Sequence, residues 1–192
     1  FQRMETLAGI LRKKRMKRGS IDFDFPETKV ILEPDGTPVE LKPYDRNVAT
    51  RIIEEFMLCA NETVAEHYFW MEVPFLYRVH EEPKTEDVMD VNKFLQALGY
   101  SIKGAGNTIH PKAYQSIVDT VAGKPEEKIV NSVLLRSMQH ARYDTDALGH
   151  FGLSAQYYSH FTSPIRRYPD LAIHRVIKEL IHNGEQLDRK RT

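Results

Sequence analysis

Cysteine is almost absent from this chain of 192 residues: Cys59 is the only one, so no internal disulfide can form. Such scarcity is typical of proteins that work in a reducing compartment, and it predicts a cytoplasmic location. The residues on either side of Cys59 are apolar, and we therefore expect a buried, unreactive thiol. One cysteine and eight scattered histidines also lack the ligand spacing of a zinc site.

Long apolar runs, internal repeats and low-complexity segments are also missing. No run approaches the roughly 20 apolar residues that a membrane-spanning helix needs, so no membrane partner is expected. The first residues lack the charged-then-apolar order of a signal peptide. With 41% hydrophobic and 28% charged residues, the composition is that of a globular domain or of part of a larger one.

The chain also has no excess of charge, since 27 basic residues balance 27 acidic ones. This balance disfavours a protein that coats nucleic acid through charge alone. The charges are unevenly distributed, however: residues 1–18 are strongly basic and residues 81–90 are acidic. The basic segment is either a local path for a polyanion or a solvated helix face.

The spacing of apolar residues and the positions of glycine and proline predict a mixed α+β fold that is rich in helix. A first helix is expected to end at Gly19-Ser20, followed by a β-hairpin over residues 21–41 around Glu33-Pro34-Asp35-Gly36. A long central helix is expected to run from an N-cap at Asp45 to about Tyr68.

The second half of the chain is predicted to be mostly helical. Residues 74–80 are expected to be extended, and residues 150–158 to form a strand. The predicted helices span about 84–98, 111–121, 125–142 and 164–182, and Ser163-Pro164 is expected to open the last of them.

Residues 160–170, His-Phe-Thr-Ser-Pro-Ile-Arg-Arg-Tyr-Pro-Asp, break local rules. After a helix start at Ser163, two arginines in the first turn oppose the helix dipole. A proline at position 169 should kink the helix or restart it. Two explanations stay open. Arg166 and Arg167 bind a phosphate together with the helix N-terminus, or Asp170 pairs with one of them and solvent surrounds the remaining charge.

Several short segments are informative as an ordered set. Their residues are 18–23 (RGSIDF), 53–61 (IEEFMLCAN), 77–80 (YRVH), 134–138 (LLRSM), 149–153 (GHFGL) and 160–175 (HFTSPIRRYPDLAIHR). Together they resemble the C-terminal part of the RNB catalytic domain of the ribonuclease R and ribonuclease II family. The spelling of the last segment is closer to the ribonuclease R branch.

The resemblance implies an activity and a first set of site residues. Members of this family hydrolyse single-stranded RNA processively from the 3′ end to nucleoside 5′-monophosphates, with two magnesium ions. It implies that Arg166 contacts the scissile phosphate, that Arg167 and Ser163 bind RNA beside it, and that Glu54 is catalytic near the terminal nucleotide. Glu55 is the neighbouring RNA-binding alternative to Glu54.

The resemblance also implies three further RNA contacts. Phe23 is the candidate that stacks on the last bases, and His80 and His174 are further RNA-binding candidates. Each has an ordinary structural alternative. Phe23 is then strand core, the histidines are satisfied core or surface residues, and Glu55 forms a surface ion pair with Arg51, four residues earlier.

The metal half of such an active site has no counterpart in the sequence. The family pattern of four aspartates, D-x5-D-x-D-D, does not occur, and the nearest substitutes are Asp22-x-Asp24 and Asp144-x-Asp146. The second pair looks like turn formers. We therefore expect no metal bound by this chain, magnesium in the intact enzyme, and no nuclease activity from residues 1–192 alone.

These residues are accordingly interpreted as the C-terminal part of a single RNB catalytic domain, without the aspartate cluster and the flanking OB-fold domains. Strand edges left open in such a piece favour self-association. Two other functions remain open: a non-catalytic RNA-binding protein on an RNB scaffold, and a helical interaction module whose helix end binds an anion.

Overall fold

The computed structural model describes residues 1–23, 27–44, 47–105 and 108–183. Within these ranges the chain is mixed α+β and mostly helical, as predicted. In chain order the elements are α1 (Gln2–Arg18), β1 (Glu27–Leu32), β2 (Pro38–Tyr44), α2 (Val48–Trp70), β3 (Tyr77–Val79), α3 (Thr85–Ala97), α4 (Pro111–Val121), α5 (Glu127–Ser137), β4 (Arg142–Asp144), a 3-10 turn (Phe151–Leu153) and α6 (Tyr168–His182).

The first helix ends where the sequence predicts. Gly19 adopts φ 111°, and its backbone N–H closes the last turn of α1 onto the carbonyl of Met16. A Cβ at Gly19 would lie 3.0 Å from the backbone nitrogen of Lys112, so glycine also permits close packing against α4. α2 begins after Asn47, whose side chain accepts a hydrogen bond from the N–H of Thr50. The predicted cap, Asp45, lies outside the described residues.

Two antiparallel pairs of strands form the sheets of the described residues. β1 and β2 make the predicted hairpin, and the Asp35 carboxylate accepts a hydrogen bond from the N–H of Thr37 in its turn. The first strand starts at Glu27 rather than at Ile21. Ile21 is buried instead, in the apolar cluster around Tyr114. β3 pairs with β4, with Tyr77 opposite Asp144. That pairing was missed, since a helix was expected to continue to residue 142 but ends at Ser137.

The buried apolar residues form two clusters, which we call the first and second core. The first core joins α3, α4 and α5 around the fully buried Tyr114 and Leu134, and it includes Phe151. The second core joins α2, β3 and α6 through Ala65, Val79 and Ile173. The second core therefore fixes α6, and the chain that leads into it, against α2.

Three further predictions are wrong. Residues 150–158 form no strand, because the chain turns in a 3-10 helix and His150 makes only isolated bridges to His80 and Ala155. The last helix begins at Tyr168 rather than at Pro164. Cys59 is exposed on α2, because the apolar stripe of that helix faces another direction.

No helix in the described part of the chain is long and apolar enough to cross a membrane.

Candidate functional site

Residues 161–167 form a tight, anchored turn before α6, which we call the arginine turn. Its first half is held by the buried side chain of Asn61 on α2. The Oδ1 atom of Asn61 accepts hydrogen bonds from the backbone N–H groups of Phe161 (2.9 Å) and Thr162 (3.2 Å). The Nδ2 group of Asn61 donates to the hydroxyl of Tyr158 at 3.1 Å.

The second half of the arginine turn is held by Asp170, which is completely buried. Its Oδ1 atom accepts hydrogen bonds from the backbone N–H of Ser163 (2.7 Å) and from the guanidinium of Arg167 (2.8 Å). The predicted alternative that Asp170 pairs with a neighbouring arginine is therefore confirmed for Arg167.

The predicted helix start at Ser163-Pro164 is wrong, and so is the placing of both arginines in a first helical turn. The carbonyl of Ser163 accepts hydrogen bonds from the N–H groups of Arg166 (3.3 Å) and Arg167 (3.1 Å), which closes a turn and no more. α6 restarts at Tyr168, so Pro169 lies in the first helical turn, where no backbone donor is needed. An anion site built on a helix N-terminus at Ser163 therefore has no basis, which removes the main argument for an interaction module.

Arg166 projects into solvent from this fixed backbone. Its guanidinium lies 3.4 Å from the hydroxyl of Ser163, and in the described part of the chain it forms no salt bridge. The flanking side chains are also exposed: Ile165 fully and Tyr168 to 70%. An exposed cation on an anchored turn is suited to bind a phosphate, since the backbone that carries it is already ordered and only side-chain entropy is lost on binding.

A groove of about 490 Å³ lies between α2 and the arginine turn. Glu54 and Arg167, two of the predicted site residues, both line it, together with Asn61 and Tyr158. Its remaining lining is largely apolar: Ala49, Thr50, Ile53, Met57 and Leu58. The structure thus brings one candidate carboxylate and one candidate arginine to a single cleft of the size that a nucleotide would need.

Glu55 points to the other side of α2 and is only 3% exposed. Its carboxylate receives two hydrogen bonds from Arg15 of α1, at 2.5 Å and 3.2 Å. Burial disfavours the charge on Arg15, but the hydrogen bond and charge of Glu55 outweigh it and raise the pKa of Arg15. The predicted surface pair between Glu55 and Arg51 is wrong, and no surface of Glu55 is open to RNA. Of the two glutamates, only Glu54 faces the groove.

Three other predicted site residues lie away from the groove. Phe23 is half-buried against the first core, although not in a strand. His174 stacks on Phe161 with ring centroids 4.3 Å apart, and its Nε2 atom lies 2.9 Å from the carbonyl of Phe161. His80 accepts a hydrogen bond from the N–H of Gly152. His174 therefore has the structural partners that the sequence left open as its alternative, whereas the Nε2 atom of His80 is buried without a hydrogen-bond partner in the described structure.

Two partly buried histidines close to the arginine turn, His150 and His160, were not predicted. Burial, with the nearby His80 adding to it, lowers the pKa of His150 to about 3. Burial and the charge of Arg167 lower the pKa of His160 to about 4. The rings of both lie edge-on to Tyr158. His150 occurs in the matched segment 149–153, but nothing in its spacing indicates burial.

The described residues do not fit the two magnesium ions that the resemblance implies. Among them no group of three histidine, cysteine, aspartate or glutamate side chains could hold a metal ion. Asp22 is bonded to Arg12 at 2.5 Å, and its partner Asp24 lies outside the described residues. Asp144 accepts a hydrogen bond from the N–H of Asp146, which confirms this pair as turn formers. No step through a metal is therefore derived from these side chains.

Comparison with known proteins agrees with this geometry. The RNB domain family model matches residues 1–183. Ribonuclease R from Aquifex aeolicus is 48% identical over 98% of this chain, which covers 26% of that protein. Among solved structures, Mycoplasma genitalium RNase R in complex with ribose-methylated single-stranded RNA is similar, with a TM-score of 0.90 and 30% identity over 98% of this chain and 30% of that one.

A more distant similarity is to yeast Ssd1, a pseudonuclease, with a TM-score of 0.63 and 28% identity over 75% of this chain and 18% of that one. The chain spans about a quarter of the length of the Aquifex relative. The family match covers nearly all described residues and includes both α2 and the arginine turn. The chain therefore belongs to the RNB domain family.

Proposed function

We propose that this chain is part of a processive 3′-to-5′ exoribonuclease that hydrolyses single-stranded RNA to nucleoside 5′-monophosphates. The observation that carries the proposal is the exposed guanidinium of Arg166 on a turn that Asn61 and Asp170 anchor at both ends. Membership of the RNB family and the similarity to ribonuclease R relatives support it.

Arg166 contacts the scissile phosphate in this proposal. Its planar guanidinium donates two parallel hydrogen bonds to phosphoryl oxygens and stabilises the negative charge that develops on them. Arg167 holds a neighbouring phosphate, and the hydroxyl of Ser163 adds a contact. Arg167 lines the groove while its guanidinium is held by Asp170.

Glu54 acts at the terminal nucleotide in the groove. A carboxylate there accepts hydrogen bonds from ribose hydroxyls, and the 2′-hydroxyl is the group that distinguishes RNA from DNA. The apolar lining beside it suits a sugar or base, which carries no charge. Phe23 remains a candidate for base stacking, and His80 and His174 remain predicted RNA contacts, although neither histidine lines the groove.

Residues 1–192 form, in this proposal, the C-terminal part of a single RNB catalytic domain. Magnesium is bound in the intact enzyme by aspartates outside this chain, because the described residues offer no metal-binding group. The chain alone is then inactive, and magnesium-dependent RNA degradation by purified residues 1–192 would refute this division. The single cysteine supports a cytoplasmic site of action.

Self-association is a further part of the proposal. The β1–β2 hairpin exposes Val30 and Leu41, which lie opposite each other on one face, and its outer edges are unpaired in the described residues. Open edges with apolar side chains favour pairing between copies. Sedimentation of the wild-type protein and of a Val30→Lys variant tests it, and identical monomeric behaviour of both would contradict it.

The test of the main proposal is Arg166→Ala in the full-length protein that carries this chain. We expect turnover of single-stranded RNA to fall to a small residual rate while the Kd for RNA changes little, because the arginine acts mainly on charge that forms during hydrolysis. Arg136→Ala is the matched control, since Arg136 is an exposed arginine on α5 and lines no part of the groove. If the turnover rate of Arg166→Ala lies within a few-fold of that of the control variant, the proposal is wrong.

A second candidate is a non-catalytic RNA-binding protein on the same scaffold. The similarity to the pseudonuclease Ssd1 supports it. The two candidates differ in one measurement. The full-length protein either degrades RNA when magnesium is supplied or binds RNA and leaves it intact.

A further inference from the structure

The buried side chain of Asn61 forms three hydrogen bonds to residues in or next to the arginine turn. Asn61 is 2% exposed, and its side chain forms hydrogen bonds with Phe161 and Thr162 of the arginine turn and with Tyr158 just before it. Its position on α2 matters as much as its bonds. Residues seven apart lie on one face of a helix, two turns from each other, so Asn61 and Glu54 share a face. Both line the groove.

The amide group is well matched to what the turn requires. One oxygen receives two successive backbone N–H groups, from Phe161 and Thr162, which uses both of its lone pairs. The nitrogen at the same time donates to the hydroxyl of Tyr158, which fixes the orientation of the amide. An alanine at position 61 would leave the N–H groups of Phe161 and Thr162 without an acceptor. A leucine would fill the space of the asparagine but would also offer no acceptor.

Apolar packing alone does not define the position of Arg166. Phe161 packs on the second core and stacks on His174, which holds the start of the turn against α6. That packing is non-directional, however, and leaves rotation of the following peptides open. The two hydrogen bonds to Asn61 remove this freedom relative to α2, whereas Asp170 removes it relative to α6.

We propose that Asn61 is a positioning residue that sets the arginine turn, and through it Arg166, against the groove face of α2 where Glu54 lies. This inference rests on the function proposed above. Asn61 touches no reacting atom in it. Its effect is to keep the cation and the carboxylate at a constant separation, and misplacement by about 1 Å is enough to cost on the order of 100-fold in rate.

The experiment is a double-mutant cycle in the full-length protein with Asn61→Ala, Arg166→Ala and the combination. We expect Asn61→Ala to lower kcat at least about tenfold with KM changed by less than about threefold, since binding away from the reacting phosphate is retained. In the Arg166→Ala background the same change should lower residual kcat by less than about twofold, because its effect passes through Arg166.

Gln115→Ala is the matched control, since Gln115 is a buried amide (6% exposed) on α4 whose Nε2 atom donates to the carbonyls of Met16 and Ser20, and it lines no part of the groove. It should lower the thermal unfolding temperature to a similar extent and leave kcat unchanged. Equal losses of kcat from Asn61→Ala with and without Arg166, or the same kcat for the Asn61 and Gln115 variants, would overturn the inference.

Tyr158→Phe keeps the test usable should Asn61→Ala fail to fold. This change removes only the hydroxyl that orients the amide, so we expect a smaller loss of kcat that again disappears without Arg166. A loss that persists at full size would count against positioning. Failure of the proposed function is visible separately, because wild-type turnover by Arg166→Ala alone contradicts that function whatever Asn61 does.

Discussion

Arg15 of α1 and Glu55 of α2 form a buried, bidentate ion pair, with Nη2 to Oε1 at 2.5 Å and Nε to Oε2 at 3.2 Å. The side chains are 7% and 3% exposed. A third partner, the hydroxyl of Ser20, accepts a hydrogen bond from Arg15 at 2.8 Å. This pair fixes the rotation of α2 against α1, and it leaves Glu54, the preceding residue of the helix, directed towards the groove.

Removal of Glu55 should therefore affect stability. Glu55→Ala leaves the buried guanidinium of Arg15 without its counter-charge, and we expect the free energy of unfolding to fall by about 3–5 kcal/mol. Thermal and urea unfolding of the variant measure this. The double change Arg15→Met with Glu55→Leu removes both charges and should recover most of the loss. No recovery would show that the pair matters for more than charge compensation.

Glu54 should behave in the opposite way. Glu54→Gln keeps the shape of the side chain but removes the negative charge at the groove, and we expect kcat for RNA to fall at least about tenfold. The unfolding temperature should stay close to that of the wild type, because the side chain is only partly buried. Steady-state kinetics and thermal unfolding of the same sample give both values. A stability loss with normal kcat would assign Glu54 to the fold.

Acidification should destabilise the protein through His150. Its pKa is about 3 in the folded protein against an ordinary value of 6.5, so the unfolded chain binds the proton more readily. Above about pH 6.5 His150 is neutral in both the folded and the unfolded chain and does not change the free energy of unfolding. The free energy of unfolding then falls as the pH drops from there towards about 3.

Unfolding temperatures measured across that pH range test the effect. His150→Asn keeps an acceptor for the N–H of Leu153 and should make stability less dependent on pH. His182→Asn changes an exposed histidine at the end of α6 and should leave the dependence as it is. Equal pH dependence in the wild type and in His150→Asn would contradict the assignment.

RNA binding by the full-length protein should depend on salt in part through α1. Lys13, Lys14 and Lys17 are exposed and lie on one side of that helix, at spacings of one, three and four residues. If each neutralises one phosphate of single-stranded RNA, their replacement by glutamine lowers the slope of log K against log salt by about 2.

Anisotropy titrations of labelled RNA at several salt concentrations give this slope. The same replacement of Lys93, Lys103 and Lys128, exposed lysines elsewhere on the surface, serves as the control. A slope that changes equally in both triple variants would show a general charge effect, and the basic face of α1 would then be only a solvated surface.

Local sequence determined most of the helices and the hairpin. The helix α4 begins at Pro111 and ends at Val121, as predicted, because proline at the first position and the apolar spacing act within one turn. Gly19 ends α1 for the same kind of reason, since a left-handed cap residue favours glycine. The ordered short segments also indicated the RNB family, because each segment is a contiguous run of residues.

Tertiary structure decided the details of the site. Ser163-Pro164 has the local signature of a helix start, yet the chain there forms a turn, because Asn61 and Asp170 bind the backbone N–H groups of residues 161–163. Asn61 lies 100 positions from Phe161 in the sequence, so no local pattern contains that contact. The choice between Glu54 and Glu55 depends likewise on Arg15, 40 positions away. Hydrogen bonds between distant segments select one of several locally acceptable conformations, and they exist only after the two cores have brought those segments together.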